Sequence, residues 1–323
     1  MDKSEPGAGA GAGGGPAAAL KRAVTSPYAL LVLAALFWGG NWVAGRGLRG
    51  DVPPVALAFW RWVVAAVVFL PFTLGDVIRA RGTIRREWLR LVVYALLGVT
   101  LFNAMVYWGL GRTPAINGAL LNSAAPIFVF VTVWLAFGER ARWLQMAGVC
   151  LSLAGVATIV TRGDLAALLR LEIGRGDLLI MVAVYFWGVY SIMLKRWPTA
   201  LSPTTFLAVI MIIGMVFLLP LFLWERAAGG SVTVTARSVA GIVYLGLFAS
   251  LGAYICWNRG VQAVGAQRGS LFQHLIPVFT TIFAVILLGE RIEPFHVIGI
   301  ALILSGIYLA TRRGPAPAAT DGG

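Results

Sequence analysis

The chain has 323 residues, of which 59% are hydrophobic and only 12% charged, and its mean hydropathy is +0.85. Soluble domains carry roughly 25% charged residues, so this composition excludes an ordinary soluble protein. The net charge of +13 does not indicate nucleic-acid binding, because the basic residues fall in short segments between apolar blocks, where they orient a membrane protein. The two cysteines lie inside such blocks, which argues against a disulfide framework or a metal site. No cofactor is predicted.

Apolar blocks of about 20 residues, the length that crosses a bilayer, recur along almost the whole chain. They predict an all-α integral membrane protein with ten transmembrane helices and short loops. The predicted helices span residues 28–47, 55–74, 89–110, 115–137, 142–161, 177–195, 203–224, 238–258, 267–288 and 294–311.

The second half of the chain repeats the first at an offset of 149 residues, which becomes 151 from the fourth helix onward. Each repeat holds five helices, so the second copy enters the membrane from the opposite side. This inverted-topology repeat is typical of alternating-access transporters. The matched segments are Phe37-Trp38-Gly39 with Phe186-Trp187-Gly188, Trp108 with Trp257, Pro126 with Pro277, and Gly138-Glu139-Arg140 with Gly289-Glu290-Arg291.

The predicted units are a first repeat at 28–161 and a second at 177–311, between two tails, 1–27 and 312–323. The tails are rich in Gly, Ala and Pro and are expected to be flexible. If the N-terminus is cytoplasmic, 16 Lys and Arg face the cytoplasm and 9 face outward. The excess predicts that both tails are cytoplasmic in a bacterial inner membrane.

Polar pairs precede the matched prolines of the fourth and ninth helices. Asn122-Ser123 lie before Pro126, and Gln273-His274 lie before Pro277 at the same repeat position. A proline bends a helix and frees a carbonyl one turn back, so we expect these pairs to line a substrate cavity. The alternative is that they only hydrogen-bond neighbouring helices. His274 is the deep group that titrates near neutral pH, so any proton coupling would involve it.

The first helix offers a second polar position. Gly39 and Gly40 allow close helix approach or a flexible point, and they precede Asn41 and Trp42. The repeat places Tyr190 on Asn41. We expect these side chains to contribute to the cavity.

The third and eighth helices add Asn103, Tyr107 and Tyr254. The spacing of Asn103 and Tyr107 puts them on one helix face. Trp108 and Trp257 fall near predicted span ends, which favours a place in the interfacial aromatic belt.

Charged residues within the spans are scarce. Arg61 lies about two turns into the second helix, where it either snorkels to the surface, pairs structurally or holds a substrate carboxylate. No Asp or Glu falls in the middle of a predicted span, which argues against exchange of protons for cations at an intramembrane carboxylate. The fifth and tenth helices carry small residues on one face, which predicts a scaffold or an oligomer contact: Gly148, Ser152, Gly155, Gly299, Ser305 and Gly306.

Three features of the sequence are similar to those of one known family. They are the Phe37-Trp38-Gly39-Gly40-Asn41 segment, the proline-containing fourth helix that ends in Gly138-Glu139-Arg140, and Arg61 after Phe59-Trp60. In these features the chain resembles the drug/metabolite transporter superfamily. Within it the chain is similar to the EamA-type exporters over residues 28–311, and most closely to bacterial aromatic amino-acid exporters. The resemblance implies a ten-helix exporter of amino acids or other metabolites.

Together these features predict a secondary transporter, not an enzyme, that exports small neutral or zwitterionic metabolites, above all hydrophobic or aromatic amino acids. Aromatic side chains (Trp42, Tyr107, Tyr190, Tyr254) would contact the apolar part of the cargo. The expected partners are a small molecule and the lipid bilayer, and the oligomeric state stays open. Alternatives are a permease for another substrate, a lipid scramblase, and a membrane enzyme, for which the sequence shows no cluster of acids or metal ligands.

Overall fold

The computed structural model describes residues 26–48, 50–110, 112–113, 115–170, 173–289 and 291–312, so the two predicted tails lie almost wholly outside the described residues. These ranges contain ten helices long and apolar enough to cross a membrane, and the predicted all-α, two-repeat fold class is confirmed. A transmembrane helix that is interrupted carries one label for all of its segments. In chain order they are α1 Pro27–Gly47, α2 Pro54–Arg79, α3 Trp88–Leu110, α4 Ala115–Ser123 and Ala125–Phe137, α5 Trp143–Val160, α6 Arg175–Arg196, α7 Pro203–Ala227, α8 Ala236–Val264, α9 Ala266–Leu271, Phe272–His274 and Leu275–Leu288, and α10 Pro294–Thr311.

Two helices run well past their predicted ends, by more than a turn. α2 continues from residue 74 to Arg79 and α8 from residue 258 to Val264. The sequence placed Arg259 in a loop, but its side chain is exposed at the surface while its backbone stays helical. α8 ends instead at Gly265, whose φ of 88° few other residues adopt. The Lys195 ammonium also donates to the carbonyl of Gln262 at 2.8 Å, which satisfies one of the last carbonyls of the helix.

The two repeats share their irregularities as well as their helices. Residues Leu96–Leu101 of α3 and Leu245–Gly252 of α8 are π-helical, and both segments begin at the same repeat position. α4 and α9 are both interrupted just before the matched prolines, Pro126 and Pro277. A π segment or a break inside a helix leaves backbone groups without their usual partner. The repeats therefore depart from regular α-helix at equivalent points of the bundle.

The chain crosses the bundle so that Ser26 and Arg312 lie at one end, the tail side, and the α1–α2 connection lies at the other end, the far side. On the far side the Glu225 carboxylate of α7 accepts from the backbone N–H groups of Val55 at 3.0 Å and Ala56 at 2.7 Å. These are first-turn donors of α2 that have no partner within the helix. The carboxylate therefore joins α2 to α7 and closes this end.

Other contacts join the helices on the tail side. The Tyr94 hydroxyl donates to the carbonyl of Trp197 at 3.0 Å, and Arg90 donates to the carbonyl of Pro198 at 3.0 Å. Both bonds connect the start of α3 with the α6–α7 connection. Hydrogen bonds thus bridge the bundle at both ends in this state.

Glycines bring α5 and α10 into backbone contact. A Cβ on Gly148 would lie 2.5 Å from the carbonyl oxygen of Gly306, and one on Gly155 would lie 2.6 Å from that of Gly299. Small residues permit such close approach between helices in lipid. Of the two roles predicted for this face, the structure shows the scaffold, because the glycines meet within one chain.

Substituting Gly148 with Ala is expected to lower the melting temperature of the detergent-purified protein. The added methyl would overlap backbone atoms of α10, and such overpacking costs about 1–3 kcal/mol. Gly45→Ala in α1 is the matched control, because a Cβ there meets nothing within 4 Å. An unchanged melting temperature in Gly148→Ala would contradict the close α5–α10 contact.

Candidate substrate site

Aromatic rings from both repeats meet at the centre of the bundle. Trp38 of α1 and Trp187 of α6 are repeat equivalents, and their ring centroids lie 5.3 Å apart, so the axis that relates the repeats passes close to them. Trp187 also contacts Tyr190 at 5.1 Å, Tyr254 at 5.4 Å and Trp257 at 5.6 Å. These five rings are the central aromatic cluster, and all but that of Trp38 are at least 98% buried.

The belt position expected for Trp257 is wrong. Its side chain is buried, and its indole N–H donates to the Ser191 hydroxyl at 3.2 Å. The reason is the true end of α8 at Val264, which places Trp257 about two turns inside the helix. The sequence singled out neither Trp38 nor Trp187 as a site residue. Their identity at equivalent repeat positions was the signal that points to the axis.

The π segments supply acceptors for the cluster. The Trp38 indole N–H donates to the carbonyl of Ala249, at 3.1 Å, inside the π segment of α8. The Tyr254 hydroxyl donates to the carbonyl of Gly98 inside the π segment of α3. Each ring is thereby held by a backbone carbonyl in the π segment of another helix.

A second group of polar side chains lies beside the aromatic rings. The Arg61 side chain is 3% exposed. Its Nε donates to the Ser250 hydroxyl at 2.6 Å, and its Nη1 donates to Tyr107 Oη at 2.6 Å and Asn41 Oδ1 at 3.2 Å. Tyr107 in turn donates to Asn41 Oδ1 at 3.2 Å. These four residues form the Arg61 cluster. Snorkelling of Arg61 to the surface is ruled out, because the guanidinium points into the bundle.

A third group joins the two helix interruptions. His274 of α9 is completely buried; its Nε2 lies 2.8 Å from the carbonyl oxygen of Ser123 in α4, and its Nδ1 lies 2.6 Å from the Ser152 hydroxyl of α5. The carbonyl accepts only, so Nε2 carries the proton. His274 thus links α4, α5 and α9, and Ser152 is a partner that the sequence did not indicate.

Several buried donors lack acceptors. Trp62 Nε1, Asn258 Nδ2 and Gln273 Nε2 have no hydrogen-bond partner among the described residues. The Trp62 ring contacts Tyr254 at 4.9 Å, and Asn258 Oδ1 accepts from Tyr190 Oη at 2.8 Å. An unsatisfied buried donor costs about 1–3 kcal/mol, so each of these groups would gain stability from an added acceptor.

The two glycines of the first helix have close neighbours. A Cβ on Gly39 would lie 2.6 Å from Cβ of Phe279, and one on Gly40 would lie 1.9 Å from the Tyr244 hydroxyl. α1 therefore packs tightly on α9 and α8, and a side chain at either position would displace its neighbour. The Gly39 carbonyl also accepts from the Thr280 hydroxyl at 3.2 Å.

The predicted site residues fall into separate groups. Asn41 and Tyr107 meet at Arg61, Tyr190 and Tyr254 meet in the aromatic cluster, and Ser123 meets His274. Asn103 donates to the carbonyl of Val99 at 2.7 Å in its own helix and does not join Tyr107. Trp42 and Asn122 are half-buried, and Pro126 and Pro277 directly follow the interruptions. Among the described residues, no group of three or more His, Cys, Asp or Glu is placed to hold a metal ion.

Comparisons with known proteins agree with this architecture. The model of the EamA-like transporter family matches residues 25–161 and 174–312. An uncharacterized transporter of Archaeoglobus fulgidus is 33% identical over 88% of this chain and 96% of its own length. A probable terminal-alkyne amino-acid exporter of Streptantibioticus cattleyicolor is 28% identical over 88% of this chain and 92% of its own length. A crystal structure of a protein that is 20% identical superposes with a TM-score of 0.71, covering 87% of this chain and 96% of the other.

Ten spans in two inverted repeats, with aromatic and polar side chains where the repeats meet, define a multi-pass membrane transporter. The two family matches together cover most of the chain. The chain belongs to the EamA-like transporter family.

Replacing His274 with Ala is expected to lower the melting temperature, because the buried Ser123 carbonyl loses its donor and the Ser152 hydroxyl keeps only the Val149 carbonyl as a partner. Each buried group left unsatisfied costs about 1–3 kcal/mol. Ser123→Ala is the matched control, since it keeps the backbone carbonyl that bonds His274. If His274→Ala melts no earlier than Ser123→Ala, the bridge contributes nothing to holding the three helices together.

Proposed function

We propose that the protein is a secondary transporter that exports small neutral or zwitterionic metabolites by alternating access, and that hydrophobic or aromatic amino acids are its cargo. The central aromatic cluster is the observation that carries the proposal. It lies where the two repeats meet, which is where such transporters bind their substrates. Aromatic walls favour an apolar, flat side chain. A relative named as a probable amino-acid exporter supports the same class of cargo.

The polar surroundings fit a zwitterion. The amide of Asn41 and the hydroxyl of Tyr107 belong to the neighbouring Arg61 cluster, and the unpaired donors of Asn258 and Trp62 border the aromatic rings. Amide and hydroxyl groups bind an ammonium or a carboxylate without carrying a compensating charge of their own. In this proposal the cargo inserts between the rings and satisfies donors that the closed state leaves unpaired.

The interruptions of α4 and α9 are proposed to be where the bundle bends during transport. The half-helices meet at Ser123 and His274, close to Asn122 and Gln273. Gly39 and Gly40 are proposed as the corresponding contact points on α1, which must slide past α9 and α8. In this proposal, the four polar residues face the cargo only when the interruptions open.

For export, both tails are proposed to lie in the cytoplasm of a bacterial cell, as the distribution of Lys and Arg indicates. A tag added to either tail should then resist membrane-impermeant reagents on intact cells. Labelling of either tail from outside the cell would contradict the proposed orientation.

Lipid scrambling is the less favoured alternative. A surface groove of about 570 Å³ runs along α2 and α7, as a lipid path would require. All of its lining is apolar, however, and a polar headgroup needs polar walls. The lining consists of Phe59, Val63, Ala66, Val67, Leu70, Pro71, Leu74, Ile212, Met215, Val216 and Leu219.

Counterflow in proteoliposomes tests the proposal. Phenylalanine, tryptophan, tyrosine and methionine are expected to exchange faster than glutamate, a sugar phosphate or a labelled phospholipid. Trp187→Phe should raise the concentration for half-maximal exchange about two- to tenfold, because a smaller ring loses part of the aromatic contact. Trp143→Phe is the control, since the Trp143 side chain is 75% exposed on the outer surface of the bundle. Faster movement of glutamate, sugar phosphate or lipid would refute this cargo class.

A further inference from the structure

We infer that Arg61 is the subsite for the carboxylate of the cargo, so that the transporter selects molecules in which a carboxylate is joined to an apolar group. The inference rests on the proposed function, since it names the part of the cargo that Arg61 contacts. It makes Arg61 a binding residue in addition to its contacts with α1, α3 and α8.

Arg61 is a buried cation without an acid beside it. Its hydrogen-bond partners are a hydroxyl, a phenol and an amide oxygen, all neutral. None of the ion pairs within the described ranges includes it. Burying a charge in a membrane protein is costly unless an opposite charge or a function compensates. We therefore expect the anion that compensates the charge of Arg61 to belong to a bound molecule.

One nitrogen of the guanidinium remains available. Nε and Nη1 donate to Ser250, Asn41 and Tyr107, whereas Nη2 donates to no residue in the described part of the chain. The three bonds hold the planar group in one orientation. The two N–H groups of Nη2 are then left to donate to an oxygen anion, and a guanidinium binds a carboxylate more strongly than it binds neutral acceptors.

The other repeat has no such subsite. Arg61 lies seven residues after the Pro54 start of α2, and its repeat equivalent, Ile210, lies seven residues after the Pro203 start of α7. The positions equivalent to the other members of the Arg61 cluster also hold mostly less polar residues. Asn41, Tyr107 and Ser250 correspond to Tyr190, Cys256 and Leu101.

This difference between the two repeats determines the orientation of the cargo along the bundle. α2 begins on the far side and α7 on the tail side, so the cation is in the far-side half and the apolar equivalent in the tail-side half. A zwitterion with an apolar side chain would then place its carboxylate toward the far side.

The subsite and the aromatic cluster are continuous. Asn41 follows Trp38 by one helical turn, and Ser250 directly follows Ala249, the acceptor of the Trp38 indole. Trp62 directly follows Arg61 and contacts Tyr254. An apolar group joined to a carboxylate at Nη2 therefore reaches the rings without a long linker.

Thermal stabilisation of the detergent-purified full chain by matched ligand pairs tests the inference. The pairs are phenylalanine with phenylalaninamide and 3-phenylpropionate with 3-phenylpropanamide, whose members differ in the carboxylate. The carboxylates are expected to raise the melting temperature at concentrations at least about tenfold lower than the amides, the factor typical of a hydrogen bond to a charged group. Equal effects within a pair, or no stabilisation by any of the four, would overturn it.

Variants separate binding from a purely structural role. Arg61→Gln should abolish the preference for carboxylates, Arg61→Lys should keep part of it, and Arg112→Gln, which removes an exposed charge from the same side, should leave it unchanged. A preference that survives in Arg61→Gln would overturn the inference. If Arg61→Gln does not fold, the ligand pairs measured on the wild-type protein and on Arg61→Lys test the inference. Stabilisation by 3-phenylpropionate without exchange of any amino acid would refute the proposed function but leave the subsite standing.

Discussion

A bilayer core offers the backbone no hydrogen-bond partner, so every carbonyl released inside the membrane must be satisfied by the protein. The centre of this bundle is organised by that constraint. The carbonyls of Gly98 and Ala249, which lie inside the π segments of α3 and α8, accept from the hydroxyl of Tyr254 and the indole of Trp38. The break in α4 releases the carbonyl of Ser123, which bonds the His274 imidazole. The irregular backbone is therefore what fixes the aromatic and polar groups in place.

The features that the two repeats share and the features in which they differ have different consequences. Shared features, such as the matched tryptophans at the axis and the glycines between α5 and α10, build a frame in which the two halves are interchangeable. In the proposed alternating-access mechanism, such a frame would adopt two arrangements in which the two halves exchange roles. The features that differ between the halves concern the cargo. A buried arginine in one repeat corresponds to a buried isoleucine in the other, so the proposed site would have a polar end and an apolar end.

Much of the fold followed from the sequence because hydrophobic length and internal repetition are strong signals. Ten spans and their inverted relation are confirmed, and most helix ends agree closely. The end of α8 was missed because an exposed arginine looks like a loop when only composition is considered. The same error misplaced Trp257 at the interface. The partners of individual side chains were less accessible. Asn41 and Tyr107 were indicated, but Ser250 and Ser152 were not selected as partners, because π segments and helix crossings decide which hydroxyl faces which group.

The central claim is that the cargo binds between the aromatic cluster and the Arg61 cluster. A structure of the purified protein with phenylalanine tests this claim most directly. The account predicts a ligand ring about 4.5–7 Å from the rings of Trp187 and Tyr254, with a carboxylate oxygen about 2.7–3.2 Å from a guanidinium nitrogen of Arg61. Phenylalanine bound instead in the groove between α2 and α7, with the aromatic cluster still closed, would contradict it.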